Sequence, residues 1–301
     1  MSFASDCKTE LVSVVNTECC ETAQSYALLL FGRAFSDSEM AVLTENETVA
    51  GAYTRAFRSL TGADIIPDVT EAGNYKISVT DKKILHAALN AVGHNTKGTR
   101  RRINFAVFQN PCCFSAFLRG AFLACGTVTD PEKEYHLEFA VSSKGLCDDF
   151  IKLFDEFEPV PKMTVRAGSY IVYFKNSGDI EDILATMGAQ ENSLRLMGAK
   201  MYKDIRNTVN RKVNFENANL ARTIAASSRQ YDAICFIMEH SGLDSLPEEL
   251  RGIAKLRYEN TDLSSAEISK ILPESITVSG VNHRFNRIIK IAEQMKEKER
   301  E

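Results

Sequence analysis

FSAFLRGAFLACGTVTDP, residues 114–131, is the stretch around which the chain is organised. It opens as an apolar run in which two small residues, Gly120 and Ala124, stand four apart. Residues at i and i+4 share one helix face, and small side chains there let a second helix approach closely. Gly126 ends the run and suits the left-handed position that closes many helices. Thr127, Val128 and Thr129 then lead to Asp130-Pro131. The expectation is a tightly packed helix feeding a strand, and in isolation the window is equally readable as an ordinary buried helix.

At 301 residues the chain has material for two or three domains and a sizeable core. No run approaches the roughly 20 apolar residues of a membrane helix, so no membrane partner is expected. The polar start, MSFASDCKTE, carries no signal-peptide pattern. Eight cysteines without CxxC spacing read as free thiols in a reducing cytoplasm. Cys19-Cys20 and Cys112-Cys113 are adjacent pairs with no histidine nearby, which argues against a metal; no metal and no cofactor are expected. Net charge is −4, but its distribution is uneven. Lys200–Arg229 carries seven basic and two acidic residues, and Ile276–Lys290 carries His283, Arg284, Arg287 and Lys290 with no acid. Such basic patches in an acidic chain are a local electrostatic footprint, although a solvated helix face has the same composition.

The first two hundred residues repeat. Cys19-Cys20 opens an apolar helix ending at Gly32, as Cys112-Cys113 opens one ending at Gly126, a shift of 94. ISVTDKKILHAALNAVG ends at Gly93 and VYFKNSGDIEDILATMG at Gly188, a shift of 95. Under it Leu85, Ala88, Leu89 and Val92 fall on Ile180, Ile183, Leu184 and Met187, one apolar helical stripe in each copy. Between them lie a helix (Glu47–Leu60; Ser142–Phe157) and a hairpin (Asp64–Val69 with Tyr75–Thr80; Met163–Ala167 with Tyr170–Phe174, turning at Gly168-Ser169). Leu137, Phe139 and Val141 alternate as a half-buried strand. A period near 95 is too long for a solenoid and predicts two halves about a pseudo-two-fold axis. The helices Ala23–Gly32 and Phe114–Gly126 are its natural occupants. Asp6–Asn16 reads as a leading helix with Ser5 as a possible cap.

Two αββαββα halves, each opened by an axial helix ending in glycine, resemble the LAGLIDADG homing endonucleases, with LRGAFLACG (118–126) lying over the motif. In that family the acidic residue before the last glycine holds divalent metal. Here it is Cys125 in one copy and Phe31 in the other, and the second acidic position is Leu123. Magnesium needs hard oxygen ligands; Phe offers none and Cys is soft. The fold is expected without the nuclease.

Lys200–Gln230 is basic and rich in asparagine, and Arg206-Asn207 with Asn210-Arg211 falls close together on a helix surface, suited to phosphate or base edges or, equally, to an interdomain hydrogen-bond network. After Tyr231 come a short helix ended by Gly242, a capping box at Ser245-Leu246-Pro247-Glu248, and a helix to about Glu259. A second capping box at Ser264–Glu267 opens a short helix with Ile268, Ile271 and Leu272 inward. Thr277 or Ser279 then caps a helix to about Lys296 with Val281, Phe285, Ile288 and Ala292 on its apolar side. Its other face carries Ser279, Asn282, His283, Asn286, Arg287 and Lys290, with Arg284 beside them. This is a helix-turn-helix pattern, which brings such side chains to base edges in the major groove. A small helical interaction domain is the alternative.

Taken whole, the chain resembles the WhiA family of Gram-positive bacteria. The most specific segments are FLRGAFLACGTVTDPEKEYHLEF, RNTVNRKVNFENANL, and LPEELRGIAKLR followed by SGVNHRFNRI. The resemblance implies an α+β fold: a pseudo-symmetric, degenerate LAGLIDADG-like domain followed by an all-α helix-turn-helix domain similar to region 4 of sigma factors. The expected division is 1–199 (repeats about 18–108 and 109–199), a linker helix region 200–230, and 231–301. The resemblance implies a transcriptional regulator, not an enzyme, linked to sporulation and cell division. It would be cytoplasmic at the nucleoid, with double-stranded promoter DNA as partner. Docking on an RNA polymerase sigma factor or a partner regulator is the alternative, and a residual nuclease the weakest reading.

Overall fold

The structure, a computed structural model, describes residues 2–94, 101–155, 157–274 and 276–298. The leading helix α1 (Phe3–Val12) is capped by Ser2, whose hydroxyl accepts from the Ser5 amide at 3.2 Å, so the cap lies three residues before the one expected. The first repeat follows as α2 (Glu18–Leu30), β1 (Ala34–Phe35), β2 (Met40–Thr44), α3 (Glu47–Thr61), β3 (Asp68–Val69), β4 (Tyr75–Val79) and α4 (Lys82–Ala91). The second runs α5 (Cys112–Cys125), β5 (Gly126–Val128), β6 (Leu137–Val141), α6 (Lys144–Lys152), β7 (Lys162–Arg166), β8 (Ser169–Phe174) and α7 (Ser177–Met187). Each sheet is antiparallel with the same strand order, β1-β2-β4-β3 and β5-β6-β8-β7. Their central pairings correspond, Met40 opposite Val79 and Leu137 opposite Phe174. The αββαββα repeat is therefore present in both halves, and the stripes of α4 and α7 that defined the period are buried.

The axial helices α2 and α5 pack against each other, with Tyr26 against Phe117 and Ala27 against Gly120, and Ala23, Ala27, Phe117 and Ala121 are fully buried. Gly120 sets their separation, for a Cβ there would lie 2.3 Å from the Gln24 carbonyl oxygen and 2.9 Å from the Ala27 methyl. Gly126 has a different reason to be glycine from the one expected. Its φ is −85° and ψ 150°, so α5 passes directly into an extended strand. A Cβ there would fall 2.3 Å from Cδ2 of Phe122. The second hairpin turns one residue earlier than expected, at Ala167-Gly168, both with positive φ (48° and 81°), as a two-residue primed turn requires. The copy-two helix is also shorter than read, ending at Lys152.

The segment joining the repeats is bonded to both. Arg101 donates through Nη1 to the Gly32 carbonyl at 2.9 Å and to Ser142 Oγ at 3.2 Å, and through Nη2 to the Arg33 carbonyl at 2.8 Å. Arg102 grips the buried Asp149 carboxylate with two guanidinium nitrogens at 2.5 and 2.6 Å.

One continuous helix, α8 (Gln190–Ser241), contains both expected domain limits, at 199/200 and 230/231. Chain contacts divide the protein at Asp204/Ile205. In the second unit the end of α8 packs with α9 (Glu248–Glu259), α10 (Ser265–Ile271) and α11 (Val278–Lys298) around Ile234, Ile237, Leu250, Ile253, Ile268, Val281, Phe285 and Ile288. The box at Ser245 does not form: that hydroxyl donates to the Gly242 carbonyl at 2.7 Å in a short 3-10 turn, and Pro247 begins α9 without a side-chain cap. The box at Ser264–Glu267 forms with both reciprocal bonds, and Thr277 accepts from the Gly280 amide at 3.2 Å to start α11. Ile268 is buried as expected, but Ile271 faces solvent.

Candidate nucleic-acid interface

The helix-turn-helix unit is shaped by a buried cation that the sequence reading passed over. Arg257 on α9 is only 1% exposed. Its Nε donates to Gln230 Oε1 at 3.0 Å, and its Nη1 donates to the Asn260, Thr261 and Leu263 carbonyls at 3.2, 3.4 and 2.5 Å. Its guanidinium carbon stands 5.2 Å from the centre of the Phe285 ring. One side chain thus satisfies the backbone of the α9–α10 loop and rests on the core of α11. A buried charge is tolerated only when paired or hydrogen-bonded in this way.

On α11, Ser279, Asn282, His283, Asn286 and Lys290 are exposed. At 100° per residue they fall within an arc of about 100° on one helix face. Arg284 and Arg287 lie to one side of that arc and are committed to the fold. Arg284 is half-buried and donates to the Glu249 carbonyl at 3.1 Å and to Glu274 Oε2 at 2.8 Å. Arg287 pairs with the Glu249 carboxylate. Both tie α11 to α9 or to the turn before α11. Asn282 accepts from Ser265 Oγ at 2.7 Å, which leaves its amide NH₂ pointing outward as a donor. The face therefore offers amide, imidazole and ammonium groups with no carboxylate among them.

Arg206, Asn207, Asn210 and Arg211 are exposed on α8, within one side of that helix. The same stretch exposes Ile205, Val209, Val213, Leu220 and Ile224, an apolar component that the basic reading did not register.

The two axial-helix positions that correspond to the metal-holding acids of the resembled nucleases, 31 and 125, carry no hard ligand. Phe31 follows the last residue of α2 and is packed edge-on to Phe117 and Phe150, with ring centres at 6.0 and 5.1 Å. Arg101 occupies the carbonyls of the next two residues. Cys125 donates its thiol to the Ala121 carbonyl at 3.3 Å. Burial pushes that thiol up to about 12, with the nearby Lys8 only partly offsetting it, so it stays protonated. Buried Glu138 on β6 accepts from His136 at 2.9 Å and from Arg166 of β7 at 2.5 Å. Burial works to raise its pKa, yet those two bonds outweigh it and the group titrates below the usual carboxylate range.

Comparison with known proteins agrees with this anatomy. Residues 114–206 match the family model described as the WhiA LAGLIDADG-like domain, and residues 209–292 match the WhiA C-terminal HTH domain. A protein named "Probable cell division protein WhiA" from Alkaliphilus oremlandii is 36% identical, the match covering 99% of this chain and 98% of that protein. One of the same name from Bacillus licheniformis is 34% identical over 98% of each chain. The crystal structure of full-length WhiA from Thermatoga maritima superposes with a TM-score of 0.59 at 26% identity, covering 98% of this chain and 99% of that one. Among the described residues no helix is long and apolar enough to cross a membrane.

Proposed function

The chain belongs to the WhiA family, and from that premise we propose that it is a non-catalytic, DNA-binding transcriptional regulator linked to cell division and sporulation. It acts in the cytoplasm at the nucleoid. The observation that carries this reading is the division of labour on α11. Its two arginines hold the helix in place, and Ser279, Asn282, His283, Asn286 and Lys290 form an outward face that carries no acid before Glu293, one turn beyond Lys290. Asparagine amides suit adenine N6 and N7, and the ammonium of Lys290 suits guanine or phosphate. Arg206, Asn207, Asn210 and Arg211 on α8 add phosphate contacts that carry no sequence information.

The test is a fluorescence-anisotropy titration on promoter fragments chosen from genome-wide occupancy. Lys290→Ala removes one phosphate or base contact and should weaken binding roughly tenfold; if that contact is to phosphate, the slope of log affinity against log salt falls by about 0.9. Asn286→Ala should relax base preference while leaving the salt slope unchanged. Both variants binding like the parent chain would remove α11 from the interface.

A second reading is favoured by one observation, the apolar residues exposed along α8. Exposed apolar patches mark protein contacts, and docking on a polymerase sigma factor or a partner regulator would cover them.

A further inference from the structure

Four of the eight cysteines stand at the beginnings of α2 and α5, which the pseudo-symmetry brings side by side. The Sγ atoms of Cys19, Cys20 and Cys112 all lie within 4.8 Å of one another. The sulfurs of Cys19 and Cys112 are 3.9 Å apart. Zinc–thiolate bonds of about 2.3 Å arranged tetrahedrally put their sulfurs about 3.8 Å apart, so the cluster is close to a ligand set before any ion arrives.

The surroundings are arranged as they are around metal thiolates. Asn110 Nδ2 donates to Cys19 Sγ at 3.5 Å, and Thr17 Oγ1 lies 3.5 Å away on the other flank. Such outer hydrogen bonds orient ligating sulfur. The Cys113 thiol donates to the Cys19 carbonyl at 3.8 Å and steadies the backbone without joining the cluster. Arg119 on α5 supplies an independent observation. It is 95% buried, its Nε and Nη1 lack a hydrogen-bond partner among the described residues, and Cys20 is the group whose charge favours it. An uncompensated buried guanidinium is costly. Three thiolates around a divalent ion carry a net charge of −1, which complements it.

We propose that Cys19, Cys20 and Cys112 bind one thiophilic d¹⁰ cation, Zn²⁺ first among them, joining the starts of the two axial helices. Three thiol protons leave to solvent as three metal–sulfur bonds form, and water completes the coordination on the side where Cys112 is exposed. Hard cations are excluded because the set holds no oxygen ligand. The adjacent pairs gave no hint of this, since the third ligand lies ninety-three residues from the first.

The experiment uses the full chain, reduced and stripped of metal, titrated with Co²⁺. Expected is a near-ultraviolet sulfur-to-cobalt charge-transfer band saturating at one equivalent and displaced by Zn²⁺. Cys19→Ser and Cys112→Ser should each lose the band, and Cys147→Ser and Cys235→Ser should keep it. Melting curves of the metal-free variants show whether each is folded. On the unaltered chain, Zn²⁺ should protect Cys19 and Cys112 from alkylation, a readout that needs no variant. Tighter retention of Cu⁺ than Zn²⁺ in a chelator competition supports the site and names the ion. No band with no protection, or a band that survives in folded Cys19→Ser and Cys112→Ser, overturns the proposal.

Discussion

Replacing Gly120 with alanine adds one methyl at the point where α5 meets α2. The built Cβ would lie 2.3 Å from the Gln24 carbonyl oxygen, 3.1 Å from its carbon and 2.9 Å from the Ala27 Cβ. An ordinary carbon–oxygen contact is at least about 3.3 Å, so the helices must part by about 1 Å at this level. Two of the three atoms are backbone and cannot rotate away. A gap of that size forfeits a quarter to a half of the dispersion energy of each contact it opens, and overpacking of this kind costs about 1–3 kcal/mol, with backbone clashes at the upper end. Alanine's better helix propensity returns at most about 1 kcal/mol. The net expectation is a loss of about 2 kcal/mol, or roughly 4–8 °C in melting temperature for a domain of this size. Gly198→Ala is the control. Gly198 lies on α8 within the same unit, is exposed, and has no atom within 4 Å of a built Cβ. It should raise the melting temperature by about 2–4 °C. Circular dichroism melts of the two variants beside the parent chain decide the matter. A Gly120→Ala protein as stable as Gly198→Ala would refute the claim that this glycine sets the interhelix distance.

Arg257→Lys keeps the charge but loses the fork that reaches three carbonyls and Gln230, and should cost about 1–3 kcal/mol. Faster hydrogen exchange across residues 256–272 is the readout, and unchanged protection there would contradict the role given to this side chain. Glu138 titrates below its unfolded value, so its stabilisation is present above pH of about 4.3 and is lost as pH falls through the lower folded value. Melting temperatures taken between about pH 5 and pH 3 should fall less steeply for Glu138→Gln than for the parent chain, and parallel curves would remove the contribution. Incubated with plasmid and Mg²⁺ or Mn²⁺, the protein should leave the DNA uncut; cleavage abolished by substitutions in α2 or α5 would reverse the assignment.

The repeat was legible because its signals are local. Apolar stripes at helical spacing and terminal glycines recur at a nearly constant shift, and the structure buries those same stripes. What the sequence could not show depends on which neighbours, near or far along the chain, the fold brings to each side chain. Gly126 is explained by the ring of Phe122 and not by a left-handed turn. Arg284 and Arg287 each bond Glu249, a partner more than thirty positions earlier that no local pattern announces. Two capping boxes read alike, yet the Ser245 hydroxyl was drawn back to Gly242 by the short turn it closes. Continuity of α8 was also hidden: 200–230 reads as a linker helix region between two domains, but the helix runs unbroken from Gln190 to Ser241.

The packing around Phe31 and Cys125 also bears on how such a protein can change over time. A carboxylate at position 31 would have to replace a ring held between Phe117 and Phe150, beside carbonyls that Arg101 already holds. A carboxylate at position 125 would set negative oxygen against the Ala121 carbonyl that now accepts the thiol proton. Each reversal alone buries charge at a cost of several kcal/mol before any catalytic metal could be held. Either substitution made first is expected to lower stability. Under the proposed non-catalytic function the core works as a ratchet: the surface can go on changing what it binds, while gaining a metal-holding carboxylate costs stability first.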